Sequence, residues 1–373
     1  MGITPSGGRF AFHFALRFVV GVVSAPLPTA VTRLRLQHAA PFNSQKRDLE
    51  DDRRPAGVSV TTVARAINGS PKTSAGMAER VNRVAEELGY VRNMEGVKLR
   101  TGRTYVLAAL LKFPSDTEIG DPTLLGLLQG IHQRCRDTDY SVRTIIAPET
   151  GEDTIELERL VKGRGCDGVV LDHTSLQDRR VKYLLEAGMP FITFGRTELF
   201  SPHAFFDVDN EFAAWQGTSE LIRRGHRNIA LLDGPEAYTY VRQRMTGYRR
   251  ALAEAGLSYR EELVRNLDPQ ADAARLAAAE LVRTTGVDGI VCVNDVVLMG
   301  ARRGVRDAAP ERFKNFGFSV RSGTNLGDYL ETRPVTSYFS RIDAGWSLAD
   351  MLIRRIEGQP VEELQKLVRT ELR

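Results

Sequence analysis

Five side chains between residues 196 and 295 have types and positions suited to holding a small polar molecule: Arg196, Asp209, Arg244, Asn294 and Asp295. Arg196 follows the apolar run FITF, Asn294 and Asp295 follow GIVCV, Arg244 stands three residues before Gly247, and Asp209 with Asn210 opens a new segment. Planar polar groups of this kind each present several directional hydrogen bonds, the chemistry that holds a hydroxyl-rich ligand such as a sugar. A helix cap or a surface ion pair uses the same residue types, so position must decide between them. Catalysis finds no such support. The chain has no GxGxxG after a strand, no P-loop, no HExxH and no GxSxG, and its six histidines are scattered. Cys135, Cys166 and Cys292 fit no metal or disulfide spacing, which implies buried thiols in a reducing cytoplasm. The expectation is a protein that is not an enzyme, with no catalytic residue, no metal site and no cofactor.

A second chemistry is written into residues 57–103, and it suits DNA. Gly57 supplies a tight turn and Ser59 a hydroxyl N-cap for a helix from about Val60 to Ile67. Val63, Ala66 and Ile67 share one face of that helix, while Val60, Thr61, Ala64 and Arg65 point away from it. Such a short outward face closed by an arginine can read base edges and phosphate. Asn68-Gly69-Ser70-Pro71 breaks the helix, and Ser74 caps the next. That helix carries an apolar stripe of Met77, Val81, Val84, Ala85 and Leu88 and ends at Gly89. The pattern fits a helix-turn-helix and, equally, an ordinary helical hairpin.

Charge is distributed to match. Residues 1–103 carry 16 Lys and Arg against 8 Asp and Glu, and residues 104–373 carry 35 against 39, so the overall +4 conceals +8 and −4. A phosphate-facing module needs such an excess, although Arg9, Arg17, Arg33 and Arg35 contribute half of it from outside the motif. Phe10 to Ala25 has the flavour of a signal peptide, but His13 and Arg17 interrupt it and it is too short and polar to span a bilayer. A non-native or mistranslated extension over residues 1–48 is expected in preference to an export signal, and no membrane partner is expected.

The elements that must position the five polar residues follow residue 104. Apolar runs at Tyr105–Leu111, Tyr140–Ala147, Gly168–Leu171 and Phe191–Phe194 alternate with helical patterns at Leu124–Arg136, Thr154–Gly163 and Val181–Ala187. A second round has helices at Glu211–Arg224, Arg242–Ala255, Ala271–Thr285 and Val296–Ala308, with strands at Ile229–Leu232, Gly289–Val293 and near Asn315–Phe318. A crossover near Pro334–Ile342 leads to a helix at Ala344–Glu357. This alternation predicts two α/β halves of parallel sheet, with a ligand site between them at the carboxyl ends of strands.

The segments TTVARAING, RVNRVAEELGYVRN and VKLRTGRT, in that order and spacing, resemble the DNA-binding and hinge region of the lactose/galactose-repressor (LacI/GalR) family. GHRNIALLDG, RQRMTGYRRALAEAGL, VNDVVLMG and RPVTSYF extend the resemblance through nearly everything from Gly57 onward. It implies a core shared with periplasmic sugar-binding proteins and a hinge, Asn93 to Leu99, that becomes helical on operator binding. Leu99 matches the leucine that wedges into the minor groove. Gly96 stands where the family more often has alanine, so hinge folding here is expected to lean more on DNA. Arg244 and Asn294 match positions that contact effector, and Arg196 matches a frequent arginine at its strand end. After Phe318 the family usually supplies a sugar-binding aspartate, and this chain has Ser319. Before Gly57, Asp52 and Arg53 replace apolar residues of the first helix and Pro55 interrupts its last turn, so that helix is expected to be compromised. At the other end, Glu363 to Arg373 stops where a final strand would close one half.

The resulting expectation is an α/β protein: an N-terminal all-α helix-turn-helix with a damaged first helix, followed by a two-lobed periplasmic-binding-protein-like core of parallel sheets flanked by helices. Residues 1–48 are left unassigned, 49–92 form the DNA-binding domain, 93–103 the hinge, and 104–373 the effector-binding and dimerisation core. DNA contacts are assigned to Ser59, Val60, Thr61, Thr62, Arg65, Asn68, Gly96 and Leu99, and effector contacts to Arg196, Asp209, Arg244, Asn294 and Asp295. The function expected is a cytoplasmic, homodimeric transcriptional repressor that binds operator DNA and a sugar or sugar derivative. The alternative is a stand-alone or exported sugar-binding protein with the same clamshell and no DNA binding.

Overall fold

Val106–Lys112 (β1) reads VLAALLK, and its five central residues are all buried. An apolar run without alternation can be satisfied only when both faces of a strand are covered, which is the condition inside a parallel sheet flanked by helices. A computed structural model describes residues 63, 66, 74–87, 94–112, 122–147 and 153–373 and divides the chain into two units, 1–92 and 93–373.

In the first unit, helix α1 (Ala75–Glu87) begins where the Ser74 carbonyl accepts the Met77 and Ala78 amides, each at 3.0 Å. Val63, Ala66 and Val81 are buried together, with Met77 and Ala78 packed against them, so the spacing of the two helical patterns does converge on one small core. The second unit opens with α2 (Met94–Thr101), the segment expected to form the hinge. It is helical, with Val97 buried and a Glu95–Lys98 ion pair of 2.9 Å one turn apart.

The rest of the second unit is two lobes, each built on a six-stranded sheet. The N-lobe contains β1, α3 (Pro122–Cys135), β2 (Ser141–Ala147), α4 (Asp153–Lys162), β3 (Gly168–Leu171), α5 (Arg179–Glu186), β4 (Phe191–Phe194) and β5 (Ala204–Val208). The C-lobe contains α6 (Asn210–Arg223), β6 (Ile229–Asp233), α7 (Thr239–Glu254), β7 (Val264–Asn266), α8 (Ala271–Thr284), β8 (Gly289–Cys292), α9 (Asp295–Ala308), β9 (Gly317–Ser322) and β10 (Val335–Tyr338). The chain then returns to the N-lobe with α10 (Arg341–Ile356) and β11 (Gln365–Val368), and finishes in the C-lobe with β12 (Glu371–Leu372). Strand orders are β11-β5-β4-β3-β1-β2 and β12-β10-β9-β8-β6-β7. All pairings are parallel except that of β12 with β10.

Two expectations change. Residues 363–373 do not leave an edge open: β11 pairs with β5 and β12 with β10, so this short stretch adds a strand to each sheet and crosses between the lobes. The strand expected near Asn315–Phe318 runs instead from Gly317 to Ser322, which carries Arg321 to its carboxyl end. Strands β5 and β7 have no counterpart in the sequence pattern, the first because AFFDV sits beside a Ser-Pro turn and the second because it is three residues of mixed polarity.

Helix α10 locks the N-lobe. Ala344, Leu348, Ala349 and Leu352 enter the same buried cluster as Leu107, Leu127 and Phe206. Close approach depends on Gly345, where an added Cβ would fall within 2.9 Å of Leu127 backbone atoms. Among the described residues no helix is long and apolar enough to cross a membrane.

Candidate functional site

The carboxyl ends of the strands of both lobes face one cleft. From the N-lobe come Lys112 at the end of β1, Asp172 and His173 after β3, Phe194 and Gly195 at the end of β4, and Asp207 and Val208 on β5. From the C-lobe come Asn210, Gly234, Tyr240, Asn294, Val296 and Arg321. Parallel α/β sheets place ligand sites at this location because strand ends and helix starts converge there without blocking one another. The cavity is about 110 Å³, several times the roughly 10–15 Å³ that one water needs. Its walls combine an apolar surface of Leu124, Leu127, Phe194, Val293 and Val296 with polar groups at separate points, as a pocket for a small organic molecule requires.

Of the five residues assigned to effector, Asn294 lines this cavity. It is the N-cap of α9, and its Oδ1 accepts the Val297 amide at 2.9 Å. What it can offer a ligand is therefore its Nδ2 donors. Arg196 stands one residue beyond Gly195 and donates from Nε to Asp207 Oδ2 at 2.8 Å, so it acts on the cleft through that carboxylate. Arg244 is buried and its Nε lies 2.9 Å from Asp233 Oδ2, with Nη2 closing the fork on Oδ1. Its guanidinium sits 4.5 Å from the centre of the Tyr240 ring. Arg244 borders a second, small cavity that shares Val293 and Arg321 with the cleft, and its Nη1 is buried with no hydrogen-bond partner among the described residues. Leaving such a donor unsatisfied costs about 1–3 kcal/mol, a cost that a bound acceptor removes.

The other two are occupied elsewhere. Asp209 caps α6 by accepting the Phe212 amide at 2.9 Å and lies 3.6 Å from Arg369. The Asp295 carboxylate lies apart from this lining, beside a separate cavity bordered by Met299, Thr324 and Tyr329. There it accepts from Ser322 Oγ at 2.9 Å and Thr324 Oγ1 at 3.1 Å, with Arg341 Nη2 at 3.5 Å. Neither lines the cleft. Ser319, standing where the resemblance leads one to expect an aspartate, is buried beside Gly217 and borders the small cavity with Arg244.

Several cleft residues went unread in the sequence: Lys112, Asp172, His173, Asp207, Tyr240 and Arg321. A signal existed for two of them. Asp172 and Asp207 are carboxylates at the carboxyl ends of apolar strands, VVL-D and AFF-D, where an acid is otherwise unexpected. Asp207 is buried, and burial pushes its carboxyl up to about 6 against the opposing hydrogen bond and charge of Arg196. Asn210 Nδ2 also donates to it at 3.2 Å.

The DNA-facing residues can be followed only in part. Ser59, Val60, Thr61, Thr62, Arg65 and Asn68 lie outside the described residues, as do residues 1–48, Asp52, Arg53 and Pro55. Leu99 is 88% exposed on α2, and Gly96 is exposed with open space where a Cβ would stand.

Known proteins resemble this chain in both parts. Residues 50–93 match the family described as bacterial regulatory proteins, lacI family, and residues 107–366 match periplasmic binding proteins and sugar binding domain of LacI family. The HTH-type transcriptional regulator CelR of Thermobifida fusca is 32% identical over 328 residues, covering 85% of this chain and 94% of the relative. The HTH-type transcriptional regulator RafR of Escherichia coli is 35% identical over 313 residues, covering 83% and 92%. Among solved structures, a transcriptional regulator CelR-cellobiose complex superposes with a TM-score of 0.64 at 30% identity, covering 87% of this chain and 98% of that one. The lac repressor dimer bound to operator and the anti-inducer ONPF gives 0.70 at 20% identity, covering 87% and 96%, a likeness of fold. A clamshell cleft on two parallel sheets, preceded by a segment matching the regulatory family, thus has full-length counterparts, and the chain belongs to the LacI family of bacterial regulatory proteins.

Proposed function

We infer that this protein is a DNA-binding transcriptional regulator, a repressor in its resting role, whose operator affinity is set by a sugar bound between the lobes. The observation that carries the effector part is the cleft itself. It is lined by the strand ends of both lobes, combining apolar walls with Asp, Asn, Lys and Arg groups at separate points, and the Arg244 donor lies beside it. The relatives are named as regulators rather than enzymes, and one is seen with cellobiose, which makes that disaccharide the first probe here.

The division into a DNA-binding domain at 49–92, a hinge at 93–103 and a core from 104 belongs to this reading, as do a homodimer, an operator of two half-sites and a cytoplasmic location. Linkage supplies the mechanism. A ligand that touches both lobes favours one inter-lobe angle over another, and can shift DNA affinity only by the difference in its affinity for the two. The competing reading, a binding protein without DNA contacts, leaves the regulatory-family match of residues 50–93 without a role. Isothermal titration of the full chain with cellobiose and with maltose tests the effector assignment. The expected result is saturable binding of one sugar that Asn294→Ala weakens about tenfold; heat of dilution alone for both would reject this sugar class.

A further inference from the structure

The lobes meet beside the cleft at a short strap, next to which Lys112 Nζ lies 5.4 Å from the centre of the Tyr238 ring and Arg242 Nη1 lies 3.8 Å from the Glu198 carboxylate. Thr239 N donates to Thr174 O at 3.0 Å, and Ser175 and Tyr238 form an antiparallel bridge. His173 lies edge-on to Tyr238 at 5.4 Å and to Tyr240 at 6.0 Å. His173 and Tyr240 also line the cleft, so this contact and the ligand site share side chains.

The N-lobe half of the strap is not held by regular structure. His173 adopts φ +49°, in the left-handed region that few residues other than glycine occupy. Behind it stands Arg180, at 3% exposure. Its Nη2 donates to the carbonyls of Asp172 at 2.9 Å and His173 at 3.1 Å. The same guanidinium holds the Asp178 carboxylate, from Nε at 3.1 Å and Nη2 at 2.8 Å. Asp178 in turn accepts the Ser175 amide at 3.1 Å and the Arg180 amide at 3.0 Å. One buried fork therefore fixes both ends of the 172–178 turn. On the opposite jaw the arrangement is matched: Tyr240 rests on Arg244, which is itself forked to buried Asp233.

We propose that Arg180, which does not line the cleft, is the positioning residue of the closing strap. By holding the Asp172 and His173 carbonyls it sets the geometry in which His173, Thr174 and Ser175 meet Tyr238, Thr239 and Tyr240, and so controls how firmly the cleft closes. The consequence for sugar affinity rests on the effector reading above, but the closure itself does not.

Amide hydrogen exchange on the full chain, without added sugar, tests this. Segments 172–178 and 237–243 are compared with 289–292, the buried strand β8 of the C-lobe, in wild type, Arg180→Met and Arg180→Lys. The expected result for Arg180→Met is at least tenfold faster exchange in both 172–178 and 237–243, with the reference segment unchanged. Arg180→Lys should be intermediate, because an ammonium can serve a carbonyl but cannot fork. Loosening confined to 172–178, or none at all, would overturn the proposal by showing a local structural role only. Should Arg180→Met loosen the reference as well, the comparison passes to Arg180→Lys: faster exchange than wild type in both strap segments upholds the proposal, and exchange equal to wild type in 237–243 overturns it. A parallel cellobiose titration keeps the two claims apart: failure of wild type to bind cellobiose counts against the effector reading and leaves the exchange result standing.

Discussion

Arg244 and Asp233 form a buried fork, with Arg244 Nε 2.9 Å from Asp233 Oδ2, while Arg244 Nη1 is left without a partner among the described residues. One side of the guanidinium is neutralised by the protein, and the residue borders the small cavity beside the cleft. Arg244→Lys should lower sugar affinity by roughly 10–100-fold, since a charged hydrogen bond of about 1.5–3 kcal/mol is lost. Asp233→Asn should instead cost about 3 kcal/mol in stability, because it leaves an uncompensated buried charge. Calorimetric titration and urea unfolding read the two effects separately.

Asp207 makes stability depend on pH. Its carboxyl is raised to about 6 by burial, against the counteracting Arg196 pair. A raised folded-state value means that the stabilisation is fully present below the unfolded value, near 4, and is lost as pH rises through 6. Between pH 5 and 7 wild type should therefore lose about 1 kcal/mol that Asp207→Asn does not lose. Urea midpoints at those two pH values, compared between the two proteins, check the sign and the size.

The α3–α10 contact has no room for a side chain at Gly345. Gly345→Ala should destabilise the core by about 1–3 kcal/mol despite its favourable helix propensity, because the methyl must displace backbone of α3 rather than a mobile side chain. A matched substitution at Gly96, which faces open space on α2, should do the opposite. There the helix gains about 1 kcal/mol, and operator binding should tighten about fivefold if hinge folding is coupled to it. Thermal unfolding and a DNA-shift titration report on the respective sites.

The alternation of strands and helices was legible because most central strands are continuous apolar runs. Gly168–Leu171 and Phe191–Phe194 occur as the pattern predicts. Strands whose identity rests on a partner rather than on composition were not. Glu371–Leu372 is exposed, and it is a strand only because it pairs with Tyr338 and Ser337. The site shows the same division. The rule that ligands gather at strand ends led to Asn294, which lines the cavity, but residue type could not say which charges are held within the protein. Asp295 next door is consumed by Ser322, Thr324 and Arg341, and Asp209 by a helix cap. Asp172 and His173 reach the cleft through a turn fixed by Arg180, a long-range arrangement with no local signature.

Control of DNA binding by a sugar in the cleft of the same chain is tested most directly by fluorescence anisotropy. The full-length protein is titrated onto DNA fragments flanking its own gene, with and without cellobiose or maltose. Binding that weakens steeply with salt is expected on at least one fragment, together with an affinity change of fivefold or more on adding one of the sugars, which Arg244→Lys moves to roughly 10–100-fold higher sugar concentration. Absence of any bound fragment, or binding that neither sugar alters, would contradict it.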